Sequence, residues 1–203
     1  ATLDNSHMGI QGLLGSYKNP KMGAEVLLTS IKAWGNNGDR ILAAFFNDFD
    51  RMAASRGRSS VSDWAADGLR IGGDVTEFQL RGAIGKVPGV QRANRAFGVA
   101  GDTMRLRWAD DELASQLAKG RSLSDMRASG DLGRIAESIN AMTGWSPTQT
   151  FGSYGELVFF ASRFLQSRLN TVALAGRGIA KLGPFGTATL DEKIARKAFI
   201  RML

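Results

Sequence analysis

Apolar residues recur at three- and four-residue intervals along most of the chain, while the alternation expected of strands hardly appears. "SYKNPKMGAEVLLTSIKAWGNNGD" (16–39) predicts one helix. Pro20 sits like a first-turn proline, Val26, Leu27, Ile31 and Trp34 form the stripe, and a Gly/Asn cluster closes it. Asp39 is placed to cap a second helix whose Ile41, Leu42, Phe45, Phe46, Phe49 and Met52 keep helical spacing until Gly57 stops it. A short helix is expected from the Ser59–Ser62 region through Trp64 to Leu69. The Gly-rich stretch "IGGDVTEFQLRGAIGKVPG" (71–89) has no helical period and predicts a long loop with room for a small hairpin.

Beyond Pro88 the pattern predicts a long helix reaching about Lys119, stopped by Gly120. At 100° per residue, Val90, Phe97, Gly101, Met104 and Trp108 share one arc, and Val99, Leu106, Leu113 and Leu117 the opposite one. A helix apolar on two sides belongs between other helices. "SLSDMRASGDLGRIAESINAMTG" gives a short and a longer helix, residues 154–177 the most apolar one, and Thr189 with Glu192 matches the capping box of a last helix. The expected fold is therefore all-α: an irregular multi-helix bundle with a long central helix and one long Gly-rich loop. Residues 1–182 are assigned to a helical domain, and 183–203 to a C-terminal helix continuing into or docking on a further segment. That helix's pattern still runs at Leu203, and the start "ATLDNSHMG" has no initiator Met, so a segment of a longer polypeptide is expected.

Composition narrows the chemistry more than the fold. The 43% hydrophobic and 22% charged content is that of a folded protein. Without Cys there is no disulfide, thiolate metal site or catalytic thiol, and His7, the single histidine, cannot build a multi-histidine centre. The phosphate-cradling G-x-x-x-x-G-K-[ST] loop fails at Gly85-Lys86-Val87, and "FGSYG" around Ser153 is not a nucleophile elbow. Asp110, Asp111 and Glu112 are consecutive, so a helix turns them apart instead of converging them on a metal. No cofactor or metal is expected. One catalytic alternative is Glu137-Ser138, the order in which a lytic transglycosylase places a half-buried, protonated general acid; an exposed helical glutamate explains the same letters. Trp34, Trp64, Trp108 and Trp145 fit core packing better than base stacking.

The net charge is +7, which favours polyanions or acidic membrane surfaces. Within "RANRAFGVAGDTMRLRWAD" (92–110), Arg92, Arg95 and Arg107 lie off the first apolar stripe and are placed to clamp phosphates or carboxylates; pairing with Asp102, Asp110, Asp111 or Glu112 is the alternative. The apolar window "LVFFASRFLQSRLNTVALAG" (157–176) contains Arg163 and Arg168, which interrupt any membrane span. These five arginines are the candidate contacts for nucleic acid or a protein partner.

Four phrases in order, "ATLDNSHMGIQGLL", "KVPGVQRANRAFGVAGDTMRLRWAD", "IAESINAMTGWS" and "GELVFFASRFLQSRLNT", resemble a helical module recurring in the very large polyvalent or internal virion proteins of tailed bacteriophages. The resemblance spans about residues 1–178 and brings no catalytic residue with it. It implies a non-enzymatic structural segment of an internal virion or ejection protein, packaged in the capsid and delivered with the genome. It further implies a homo-oligomer near the portal, other core proteins or the DNA backbone, bound without sequence specificity. The location implied is the virion interior, then the host envelope or cytoplasm. The alternatives are a membrane-interacting or channel-forming segment built on the 157–176 helix, and a cell-wall-degrading transglycosylase.

Overall fold

The structure, a computed structural model, describes residues 19–35, 37–72, 88–143, 173, 176–179, 181 and 188–200. Those residues are helices, turns and short connections, with no strand among them, so the fold is all-α. The principal helices among the described residues are α1 (Pro20–Ala33), α2 (Gly38–Ser55), α3 (Val61–Ala66), α4 (Pro88–Leu117), α5 (Leu123–Ala128), α6 (Asp131–Met142) and α7 (Leu190–Ile200). The predicted loop core, 73–87, and most of the predicted 154–177 helix lie outside the described residues.

Local chemistry sets most of these boundaries. Asn19 caps α1, its Oδ1 accepting from the Met22 amide at 3.3 Å with Pro20 in the first turn. Gly57, at φ +62°, ends the turn after α2 in a left-handed conformation that suits glycine. A reciprocal capping box opens α3: the Ser60 amide donates to Asp63 Oδ2 at 2.9 Å and the Asp63 amide to Ser60 Oγ at 3.1 Å. At α7 the Thr189 amide donates to Glu192 Oε2 at 3.0 Å, as its motif predicts. Asp39 is a correction. The helix starts at Gly38, two residues earlier than that cap would place it, so Asn37 takes the cap position without a side-chain bond and Asp39 falls inside the first turn, favourable there only through the helix dipole.

Helix α4 is the strut, about 45 Å long at 1.5 Å per residue. Both predicted apolar stripes are covered: Met104 and Trp108 on one side, Val99, Leu106 and Leu113 on the other, all buried. Helices α1, α2 and α6 pack on it, α5 and α7 pack on α6, and Trp64 of α3 joins the same core. Helix α1 runs antiparallel to α4, since Asn19 Nδ2 donates to Asp111 at 3.3 Å while Ser30 Oγ donates to the Ala96 carbonyl at 3.4 Å.

Buried polar groups fix the segment that leads into the Gly-rich stretch. Asp102 accepts from the Gly72 amide at 3.1 Å; Arg105 donates to the Arg70 carbonyl at 3.0 Å and to Thr143 Oγ1 at 2.9 Å. Asn140 bonds the same stretch twice, accepting from the Arg70 amide at 3.0 Å and donating to the Gly68 carbonyl at 2.9 Å. Every one of these partners is needed, because a buried polar group left without one costs about 1–3 kcal/mol. Residues 68–72 are thereby tied to both α4 and α6.

Candidate functional site

The five arginines separate into three groups. Arg107 turns inward: its guanidinium grips Glu25 of α1 with two bonds, Nε to Oε2 at 2.9 Å and Nη2 to Oε1 at 2.5 Å. It also lies over the rings of Phe45 and Phe49, 5.3 and 5.9 Å from their centroids, and Nη1 reaches Met52 Sδ at 3.1 Å. One side chain thus joins α1, α2 and α4. Its acidic partner is none of the four α4 acids suggested by proximity in sequence, but a glutamate from a helix 82 residues earlier. Those acids are otherwise engaged. Asp110 accepts from Arg58 at 2.7 Å, Asp111 from Asn19, and Glu112 from Gln116 at 2.9 Å, so the three consecutive carboxylates do fan out. Burial pushes the Asp110 carboxyl above its ordinary range, and the charge of Arg58 only partly opposes that.

Arg92 and Arg95 behave differently. Arg92 is exposed on α4, one turn before Arg95. Arg95 leans against the α1–α2 turn: its Nη1 donates to the Gly35 carbonyl at 3.4 Å, and its aliphatic stem lies where a side chain on Gly38 would be, 2.1 Å from an ideal Cβ. The turn itself is held by Ala33, Ala96 and Val99, with Trp34, Ile41 and Leu42 packed around them. Lys32, near the end of α1, and Arg40, near the start of α2, are exposed. Asp39 is the acid nearby in sequence. Arg163 and Arg168, the third group, lie outside the described residues.

A second surface was also missed. Leu27, Leu28 and Ile31 of α1 are 41%, 57% and 58% exposed. The sequence puts Val26, Leu27, Ile31 and Trp34 on one stripe, yet the fold buries Val26 with Met22 and Ala33 and leaves Leu27 and Ile31 outside. Helix α1 therefore has two apolar arcs, and α4 takes only one of them.

The remaining candidates resolve one by one. Glu137 is exposed on α6, which is not the sheltered setting that keeps a general acid protonated. Trp64 and Trp108 are buried in the core and Trp34 is half-buried, while His7, Ser153, Lys86 and Trp145 lie outside the described residues. Among the described residues no three metal-binding side chains gather, and no helix is long and apolar enough to cross a membrane. Compared with protein-family models, curated proteins and solved structures, the chain matches none of them.

Proposed function

We propose that this chain is a structural, non-catalytic helical module that assembles through its helix faces, as a segment of a bacteriophage internal virion or ejection protein. The observation that carries the reading is the outward arc of α1. Leu27, Leu28 and Ile31, with exposed Ala24, follow the three- and four-residue spacing of a helix-packing seam. The resemblance to phage virion modules supports the setting: packaged in the capsid with DNA, beside portal or other core proteins, and delivered to the host envelope or cytoplasm.

The occupant of the seam is a second copy of the module. Lys21 and Lys32 lie on one edge of the arc, about 40° or less from Leu28 on the helical wheel. An antiparallel pair would crowd four lysines on one side, whereas a parallel pair about a twofold along the helices puts the two edges on opposite sides and Leu28 against Leu28. Covering three half-exposed aliphatic side chains returns about 3 kcal/mol per copy. Set against association costs of roughly 4–15 kcal/mol, that makes a weak contact, effective where copies are concentrated.

The chain has no cysteine, so Leu28→Cys gives a single reporter. Mild oxidation is expected to yield a disulfide-linked dimer, and Ala54→Cys, exposed on α2, is not. Equal cross-linking of both would remove the reading. A membrane-surface role has one observation in its favour, the lysine edge beside the apolar arc. Flotation with phosphatidylserine vesicles but no Leu28 cross-link would favour it.

A further inference from the structure

We infer that the α1–α2 corner is a hinge, latched by Arg95, that straightens into one continuous helix and hands α1 to the α4 of a second copy. This goes beyond the reading above. The partner is again a second copy, but the surface is the buried face of α1, so the inference stands apart from the outer arc.

An internal repeat carries it. "KAWGNNGD" (32–39) returns as "RAFGVAGD" (95–102), and "GRSSVSD" (57–63) returns as "GRSLSD" (120–125). The copies match in structure as well as in letters. Gly57 and Gly120 take positive φ, +62° and +82°, and Ser60 and Ser122 each accept from the aspartate amide three residues on at 3.1 Å. The short helices that follow bury Trp64 and Met126 at the same place. The first repeated stretch nevertheless folds in two ways. In α4 it lies inside a helix unbroken from Pro88 to Leu117, whereas at the corner the ladder of α1 closes at the Trp34 amide and that of α2 opens at the Ile41 amide, bonded to the Asn37 carbonyl at 3.0 Å. Both copies have the two glycines, so these do not decide the difference. Two things do. The corner has Asn36 and Asn37, turn-forming letters, where α4 has Val99 and Ala100, and Arg95 braces it. The Arg95 Nη1 donates to the Gly35 carbonyl at 3.4 Å, an acceptor that a continuous helix would give to the Asp39 amide, and its stem fills the space over Gly38. Straightened, α1 and α2 form one helix about 54 Å long. Its α1 part carries Met22, Val26, Ser30 and Ala33 away from the chain's own α4, and the α4 of a second copy offers the same partners, Arg107, Asp111 and the Ala96 carbonyl. Such an exchange keeps the α1–α4 contacts and changes the corner.

Charge exchange at Glu25 and Arg107 tests it on the full chain. Both partners are made on Leu28→Lys with Ile31→Lys, which removes the outer arc. One chain carries Glu25→Arg and the other Arg107→Glu, so each closed chain sets like charges against each other, and only exchange of α1 between the two restores both opposite pairs. Refolded together from urea at about 1 mM, where a second chain competes with a short tether, they are expected to give a one-to-one heterodimer by sedimentation, while each alone stays monomeric. Asn36→Ala with Asn37→Ala favours the helical corner about threefold per residue, so with two residues in each of two chains the association constant is expected to rise by roughly fifty- to a hundredfold. Arg95→Ala, which releases the latch, is expected to raise it further. Because these changes spare the contacts of α1 with α4, the same trend is expected without the charge changes, as a dimer that persists on dilution until α1 leaves α4. A mixture that remains two monomers with hinge and latch both released would overturn the inference. So would either charge variant pairing with itself as readily as with the other. Association of the parent through its outer arc, with the mixture still monomeric, would keep the arc and remove the hinge, so the two failures give different results.

Discussion

Replacing Arg107 by alanine separates a packing arginine from a gripping one. The Arg107 and Glu25 side chains are 23% and 37% exposed, so the two-bond pair is partly screened and contributes about 1 kcal/mol. The face of the guanidinium over Phe45 and Phe49 adds about 0.5–1 kcal/mol. Its aliphatic stem, sheltered between α1 and α2, adds about 1 kcal/mol of lost packing when removed. The expected loss is therefore about 2–3 kcal/mol, read by urea unfolding or as a fall in Tm of roughly 5–10 °C for a chain of this size. A double-mutant cycle with Glu25→Gln is expected to return a coupling of about 1 kcal/mol. DNA affinity at any salt should be unchanged in the folded protein. A stability loss below about 0.5 kcal/mol with no coupling, together with a salt slope lower by about 1, would show that Arg107 faces a partner and that this reasoning is wrong.

Other perturbations test the core, the electrostatics and the catalytic alternative. Leu113→Ala removes a fully buried side chain of α4 and is expected to cost about 3 kcal/mol in urea unfolding; a cost under about 1 kcal/mol would mean that this side of α4 is not covered. Burial pushes the Asp131 carboxyl up, but hydrogen bonds from Arg121 and Ser129 and the charges of Arg121 and Arg134 outweigh it and hold the group below its usual range. A lowered carboxyl stabilises the fold above the unfolded pKa of about 3.9 and stops doing so as pH falls through its native value. Asp131→Asn should therefore be destabilising at pH 7, with the difference from the parent vanishing in acid; a pH-independent difference would contradict the assignment. Glu137→Gln is expected to change stability by no more than about 0.5 kcal/mol, as for an exposed helical residue, and a cell-wall lysis assay should detect no activity for it to abolish. Lysis by the parent that is lost in the variant would restore the transglycosylase alternative.

The parts of this fold that could be read from sequence are those decided within a few residues. Pro20, Gly57 and the Thr189–Glu192 pair act locally, and the two arcs of α4 follow from spacing alone, so its central place was legible. What spacing cannot tell is which arc of a doubly apolar helix finds a partner. Spacing alone therefore puts Leu27 and Ile31 on one stripe with Val26, although the fold separates them. The partner of Arg107 was illegible for a similar reason: four acids stood nearby on its own helix, and the one it uses is brought in by the antiparallel packing of α1. Asn140 and Asp102, polar letters on otherwise apolar helices, gave no sign that they hold residues 68–72 by hydrogen bonds.

The central claim is that the uncovered arc of α1 joins copies of the module. Sedimentation velocity from about 10 µM to about 1 mM, on the parent and on Leu28→Lys with Ile31→Lys, addresses it most directly. The account predicts a sedimentation coefficient that rises with concentration in the parent and stays monomeric in the variant. A parent that stays monomeric throughout, or a variant that associates as the parent does, would contradict it.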